Sequence, residues 1–252
     1  VWKAENEMDL ELSLFTKLKE ERNNTNQPYN ILYAINDPRE NKTNNKIGVK
    51  GNPNLGNIRT FFIGVRNINQ DNFDAGCVEV WVNELRASGF DERGGYAATA
   101  RMNVNLADLG DFKASTNYAS IGWGGIDQKL QQRSREEVLQ YDLSTTLELG
   151  KFLPEKSGIK IPVYAQYSST IKTPQYDPYD LDLELKSKLR SIQDPVKRDS
   201  VKEQAIDFTS FKTVNFTNVR KERTNSQAKP MPWNVENFNV NYSYTETNKH
   251  DP

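Results

Sequence analysis

Between residues 96 and 247 the chain carries about six segments of roughly ten residues in which apolar and polar side chains alternate. A period of two sends the two sets to opposite faces of a strand, so the pattern constrains both secondary structure and solvent exposure. Leu139, Tyr141, Leu143, Thr145, Leu147 and Leu149 interleave with Gln140, Asp142, Ser144, Thr146 and Glu148. Tyr96, Ala98, Ala100, Met102, Val104 and Leu106 interleave with Ala97, Thr99, Arg101, Asn103 and Asn105. Ile159, Ile161, Val163, Ala165, Tyr167 and Ile171 repeat the pattern, as do Phe238, Val240, Tyr242 and Tyr244. Residues 112–121 and 208–219 are less regular: Phe208 and Phe211 fall on opposite faces, and Lys212 shares a face with Val214 and Phe216.

Alternation alone does not choose the solvent, because a soluble sandwich with one buried face gives the same period. The connections separate the two cases. Asp108-Leu109-Gly110-Asp111 and Pro154-Glu155-Lys156-Ser157-Gly158 are tight, turn-forming links, whereas residues 124–137 and 172–207 are long. Short turns at one rim and long loops at the other characterise an outer-membrane barrel. Tyrosines 96, 118, 141, 164, 167, 242 and 244, with Trp123, add weaker support as an interfacial girdle. The expectation is an all-β chain: an arc of antiparallel transmembrane β-barrel strands over 93–252, with a long inserted loop at 172–207. A soluble all-β binding or adhesion module, with the same leucines in a dry core, is the alternative.

Several function classes find no support. A net charge of −1 removes the electrostatic argument for nucleic acid. No run of about eighteen apolar residues is present, so a spanning helix is not expected. One histidine, His250, and one cysteine, Cys77, cannot build a His/Cys metal cluster. Cys77 reads as a small buried residue at a strand start. There is no Ser/His/Asp arrangement, phosphate-cradling loop or nucleophile elbow, and no pair of acids marked for glycoside hydrolysis. The chain is expected to be no enzyme, with no catalytic, cofactor-binding or metal-binding residues. Gly122-Trp123-Gly124-Gly125 reads as a flexible loop. Asp177, Asp180, Asp182 and Glu184, near Tyr176 and Tyr179, lack the spacing and central glycine of an EF-hand, so calcium is disfavoured. Arg220-Lys221-Glu222-Arg223 reads as ordinary surface charge or a headgroup-facing rim.

Residues 1–92 have a different texture. Residues 9–15 alternate briefly, residues 17–22 have the composition of a short charged helical turn, and residues 29–35, 58–66 and 77–85 are strand-like. Short strands with turn-rich links predict an incomplete β-sandwich-like lobe. The Asn-rich stretch 36–57 reads as a solvated loop. Gly94-Gly95, after the charged Asp91-Glu92-Arg93, marks the boundary. Within 172–207, residues 181–189 and 196–206 predict two short helices. Val1-Trp2-Lys3 carries neither an initiator methionine nor a signal peptide, and six strands are fewer than the eight of the smallest ordinary barrel. The sequence is therefore expected to be a piece of a longer polypeptide.

Several motifs recur in one order: Val80-Trp81-Val82-Asn83-Glu84-Leu85-Arg86, Gly94-Gly95-Tyr96-Ala97-Ala98, Leu106-Ala107-Asp108-Leu109-Gly110-Asp111, the run from Glu148 through Lys151-Phe152-Leu153-Pro154 to Gly158, Pro174-Gln175-Tyr176 and Asn218-Val219-Arg220-Lys221-Glu222-Arg223. Through these the chain resembles the SprA/Sov family, the very large outer-membrane translocons of the Bacteroidetes type IX secretion system. The resemblance implies a wide single-chain barrel at the bacterial outer membrane and cell surface, exporting folded cargo in secretion and gliding motility. It also implies the partners: secreted protein cargo, a PorV-like outer-membrane protein, a periplasmic plug protein and outer-membrane lipid. No catalytic residue is carried over, because the family is a conduit.

Overall fold

The computed structural model describes residues 7–42, 44–66, 79–91, 93–224, 229 and 231–252. It divides into two compact units, Val1–Arg93 with Asp180–Leu183, and Gly94–Tyr179 with Glu184–Pro252. Cys77 lies outside the described residues.

In the first unit, helix α1 (Leu12–Asn24) covers the short alternation and the charged turn in one element. Leu10, Leu12 and Leu14 suggest a strand, yet Leu14 and Leu18 stand four apart and so share a helical face. That face packs on Ile47 and Val49 of strand β2 (Lys46–Val49), which pairs antiparallel with β1 (Tyr33–Asn36). A strand thus lies inside the stretch read as loop, its Ile47 and Val49 alternation hidden among asparagines and lysines. The expected sandwich is not what the described residues form. They hold one two-stranded sheet, and residues 58–66 and 79–91 form neither strand nor helix. Glu84 adopts a left-handed backbone, φ +59°, which interrupts pairing. Apolar side chains such as Phe62 and Trp81, which a sandwich would bury, are exposed.

The second unit is an antiparallel meander. Its strands are β3 (Ala97–Asn105), β4 (Gly110–Ala119), β5 (Glu136–Glu148), β6 (Ile159–Lys160), β7 (Pro162–Pro174), β10 (Asp207–Lys221) and β11 (Asn239–His250). Spatial order is β3-β4-β5-β7-β10-β11, with β6 extending β7 along β10. All six expected strands are present, each paired with its neighbour in sequence, and the chain is mostly β. The sheet is open, with β3 and β11 at its edges. No helix among the described residues is long and apolar enough to cross a membrane.

The long connection 172–207 is structured. It contains β8 (Tyr176–Asp177), β9 (Asp180–Glu184), α2 (Leu185–Ser191) and α3 (Pro195–Ala205). Asp194 caps α3 by accepting the Val196 N–H, with Pro195 at the first helical position. Gly95 serves the boundary through close approach rather than a left-handed turn. A Cβ there would sit 2.1 Å from the Trp123 nitrogen.

Candidate functional site: a sheet with two unlike faces

Because directly paired residues share a face, the register sorts the alternation of each strand into two surfaces of the whole sheet. One row reads Val104, Phe112, Thr145, Ala165, Val214, Tyr244; the next reads Met102, Ala114, Leu143, Tyr167, Lys212, Glu246. On the opposite face one row reads Asn103, Lys113, Ser144, Gln166, Thr213, Thr245, and another Thr99, Asn117, Gln140, Thr170, Thr209, Lys249. Six separate alternations therefore agree on one apolar and one polar face. Phe211, the residue that spoiled the fifth segment, stands on the polar face, as does Tyr164.

The polar face satisfies itself with water-compatible groups. Thr99 Oγ1 donates to Asn117 Oδ1 at 3.0 Å, Ser243 Oγ to Asn215 Oδ1 at 2.6 Å, and Tyr164 Oη to Gln166 Oε1 at 2.8 Å. Thr213 and Thr245 face each other across the ladder with hydroxyls 3.1 Å apart. Amides and hydroxyls predominate over charge on this face, and charges of both signs occur.

Among the described residues of this unit, no second layer covers the apolar face. Met102 is 51% exposed, Leu143 37% and Tyr244 48%. Where the small Ala165 stands among larger side chains there is a shallow trough bordered by Phe112, Leu143, Tyr167, Lys212 and Val214. Aromatic contacts run across strands: Tyr96 and Tyr118 have ring centroids 5.6 Å apart, Tyr141 and Tyr167 5.8 Å, and Phe216 and Tyr242 6.2 Å. Leu149, grouped by sequence with the wall leucines, has left the strand for a turn of 3₁₀ helix.

A bulge bends β10 between Phe216 and Val219, with Asn218 left-handed at φ +58°. Its backbone N–H donates to Asn241 Oδ1, and Asn239 Nδ2 donates to Asn218 Oδ1 at 3.3 Å. At the opposite rim the α2–α3 excursion is tied to the sheet of its own unit. Lys186 reaches Glu137 at 2.7 Å, the Leu185 N–H donates to the Gln175 carbonyl, and His250 Nε2 donates to the Glu203 carbonyl.

The acidic cluster in this connection is divided and neutralised by lysines. Asp177 is buried and paired with Lys188. Asp180 and Asp182 both meet the buried Lys19 amine, at 2.6 and 3.0 Å, and Asp182 Oδ1 accepts the Leu55 N–H at 2.8 Å. Among the described residues, no group of three His, Cys, Asp or Glu could hold a metal ion. Lys19 was missed by sequence reading, because nothing local marks a lysine in a charged helix as buried. The glycine-rich loop is ordered, with Gly122 N–H donating to the Ser134 carbonyl and Ser134 N–H to that of Trp123. Arg220 pairs with Glu222 at 2.9 Å at the end of β10.

Arginines hold two carboxylates outside the sheet below their ordinary range. Hydrogen bonds from Arg39 hold the buried Asp37 below its ordinary range. Arg93 likewise holds Asp91 down at about 2.

Compared with known families, residues 1–189 match the model of SprA_N, described as a motility related/secretion protein. The chain belongs to the SprA_N family. The match covers three quarters of its length, from α1 through the first four long strands of the sheet into α2, so the motif resemblance and the family agree. A role related to motility and secretion follows for this SprA_N chain. No curated protein matches it.

Proposed function

We propose that the six-stranded sheet is an arc of barrel wall in the bacterial outer membrane, with lipid on its apolar face and a water-filled lumen on its polar face. The wall belongs to a protein-conducting pore that exports folded cargo in type IX secretion and gliding motility. The observation that carries this reading is the agreement of six alternations on one face that no other described element of the same unit covers. Every interior strand has both neighbours, so backbone groups are satisfied within the sheet, as hydrocarbon requires. The opposite face, lined with Thr, Ser, Asn and Gln, suits water and a passing hydrated surface. The soluble alternative needs Leu139 and Leu143 in a dry core, and both are 37% exposed.

The pore acts by position and not by bond chemistry; cargo slides past side chains that keep their hydrogen bonds with one another. Outer-membrane lipid, secreted cargo, a PorV-like barrel and a periplasmic plug are the partners in this reading. Photo-crosslinking amino acids placed in the full-length protein in secreting cells test it. Probes at Asn117, Ser144 and Gln166 should capture cargo, while probes at Ala114, Leu143 and Ala165 should not. Equal capture from both faces, or none from the polar one, would contradict a lumen there.

A further inference from the structure

The apolar face contains one anomaly, which the register resolves. Lys212 and Glu246 lie in the same row as Met102 and Leu143. If rows ran parallel to the membrane, these two charges would sit at the depth of Leu143, where charge is least tolerated.

The rim of short turns shows that rows are not parallel to the membrane. Between β3 and β4 the last pair is Asn105 with Asp111, and Asp111 is level with Thr146 on β5. Between β5 and β7 the last pair is Glu148 with Pro162, two residues further along. On β11, Tyr242 is level with Val163 through Phe216, but pairing there continues to Asn239, again two residues past the level of Pro162. Each two-strand step lowers the rim by two residues, or one residue per strand. With a rise of about 3.3 Å per residue and a spacing of about 4.8 Å between strands, that stagger corresponds to a tilt of about 35°. Spanning barrels tilt their strands by about 35–45°. The long-loop ends keep level, with Val138 pairing both Ala119 and Lys172, as strands free to run past the membrane surface can.

A plane that drops about 1.2 residues per strand, close to the stagger of the rim, passes within one residue of Tyr96 just before β3, Tyr118 on β4 and Tyr141 on β5. It then passes between Ser169 and Tyr167 on β7, beside Lys212 on β10, and reaches Glu246 on β11. Side-chain contacts follow this diagonal. Tyr96 touches Tyr118, Tyr141 touches Tyr167, and the Lys212 amine lies over the Tyr167 ring at 6.0 Å. Below the plane, towards the short turns, the face is apolar apart from Thr116 and Thr145; on β11 it holds Tyr244, Tyr242 and Val240. Above the plane stand Ser210, Asn248 and His250. Leu139, Ile171 and Phe208 also lie above it, in a single row at the foot of the α2–α3 excursion.

We infer that this diagonal belt, from Tyr96 through Tyr118, Tyr141 and Tyr167 to Lys212 and Glu246, is the line where the apolar face leaves the acyl chains and enters the headgroup layer. Tyrosine rings suit that depth because one end is apolar and the other wet. The Lys212 amine and the Glu246 carboxylate then sit in polar surroundings. Of the tyrosines with girdle potential in the sequence, the belt takes 96, 118, 141 and 167; Tyr164 faces the lumen, and Tyr242 lies deeper than the belt.

This inference rests on the wall reading, and depth measurement separates the two. In full-length protein with Cys77 and every other native cysteine replaced by serine, single cysteines at Met102, Val240 and Glu246 are labelled with a fluorophore. The protein is reconstituted in bilayers with bromines placed deep in the acyl chains, and iodide serves as the aqueous quencher. Labels at Met102 and Val240, in different rows, should be quenched several-fold more by deep bromines than the label at Glu246. Iodide should quench Glu246 several-fold more than the other two. Equal deep quenching at Met102 and Glu246 would overturn the diagonal while leaving the wall intact. No bromine quenching at any site would overturn the wall and the belt together.

Discussion

The two units use apolar side chains in opposite ways. In the first, Leu14, Leu18, Ile47 and Val49 turn inward and make a core within the chain, steadied by Lys19 between two aspartates. In the second, a more extensive apolar surface turns outward, and the ladder of backbone hydrogen bonds holds the sheet without a core. The comparison teaches that apolar content does not locate a core. What matters is whether the side chains converge on one another or array themselves on a common face.

Disturbing the first unit should have the largest effect. Lys19→Ala leaves two carboxylates facing each other in a buried site, a change that typically costs about 3–5 kcal/mol. The helix signal in denaturant unfolding should fall accordingly, while the sheet signal stays. A Lys19→Ala, Asp180→Asn, Asp182→Asn variant should recover much of the loss.

Leu143→Lys inverts the comparison. In the folded chain the side chain is already partly exposed, so it costs little in water. In a bilayer it should cost about 2–4 kcal/mol near the midplane. Folding titrations into lipid, compared with the same substitution at Ser144 on the polar face, measure the difference. Equal costs at the two positions would erase the distinction between faces.

Acid should sharpen the contrast from the other side. Arg39 lowers the Asp37 pKa, so this pair contributes stability that is fully present above the ordinary carboxylate range and is lost as pH falls through the lowered value. Helical circular dichroism should thus fade at strongly acidic pH, and Arg39→Ala should move that loss to higher pH. Smallest of all, Thr213→Ala removes one cross-strand hydroxyl pair and should cost about 0.2–1 kcal/mol.

These differences also account for how much was legible in the sequence. The sheet was readable because a period of two depends only on neighbours along the chain, and each strand repeats it independently. Even the exceptions were informative: Lys212 and Phe211 stood out by breaking the period, and register alone explains them. In the first unit the alternation of Leu10, Leu12 and Leu14 pointed to a strand, while the decisive spacing of Leu14 and Leu18 is helical. Segments 58–66 and 79–91 have strand composition, but a strand also needs a neighbour, which composition cannot supply. Lys19 was invisible for a related reason: its partners Asp180 and Asp182 lie more than 150 residues away.

Solvent accessibility along β5, residue by residue, tests the two-faced wall most directly. Single cysteines from 139 to 147 in the full-length protein, in a bilayer and with Cys77 and every other native cysteine replaced by serine, are probed with a membrane-impermeant thiol reagent and with acyl-chain quenchers. The account predicts a period of two. Gln140, Asp142, Ser144 and Thr146 react from water, while Leu143 and Leu147 report lipid and Tyr141 reports the boundary. Uniform reactivity along the strand, or protection of both faces from lipid, would contradict it.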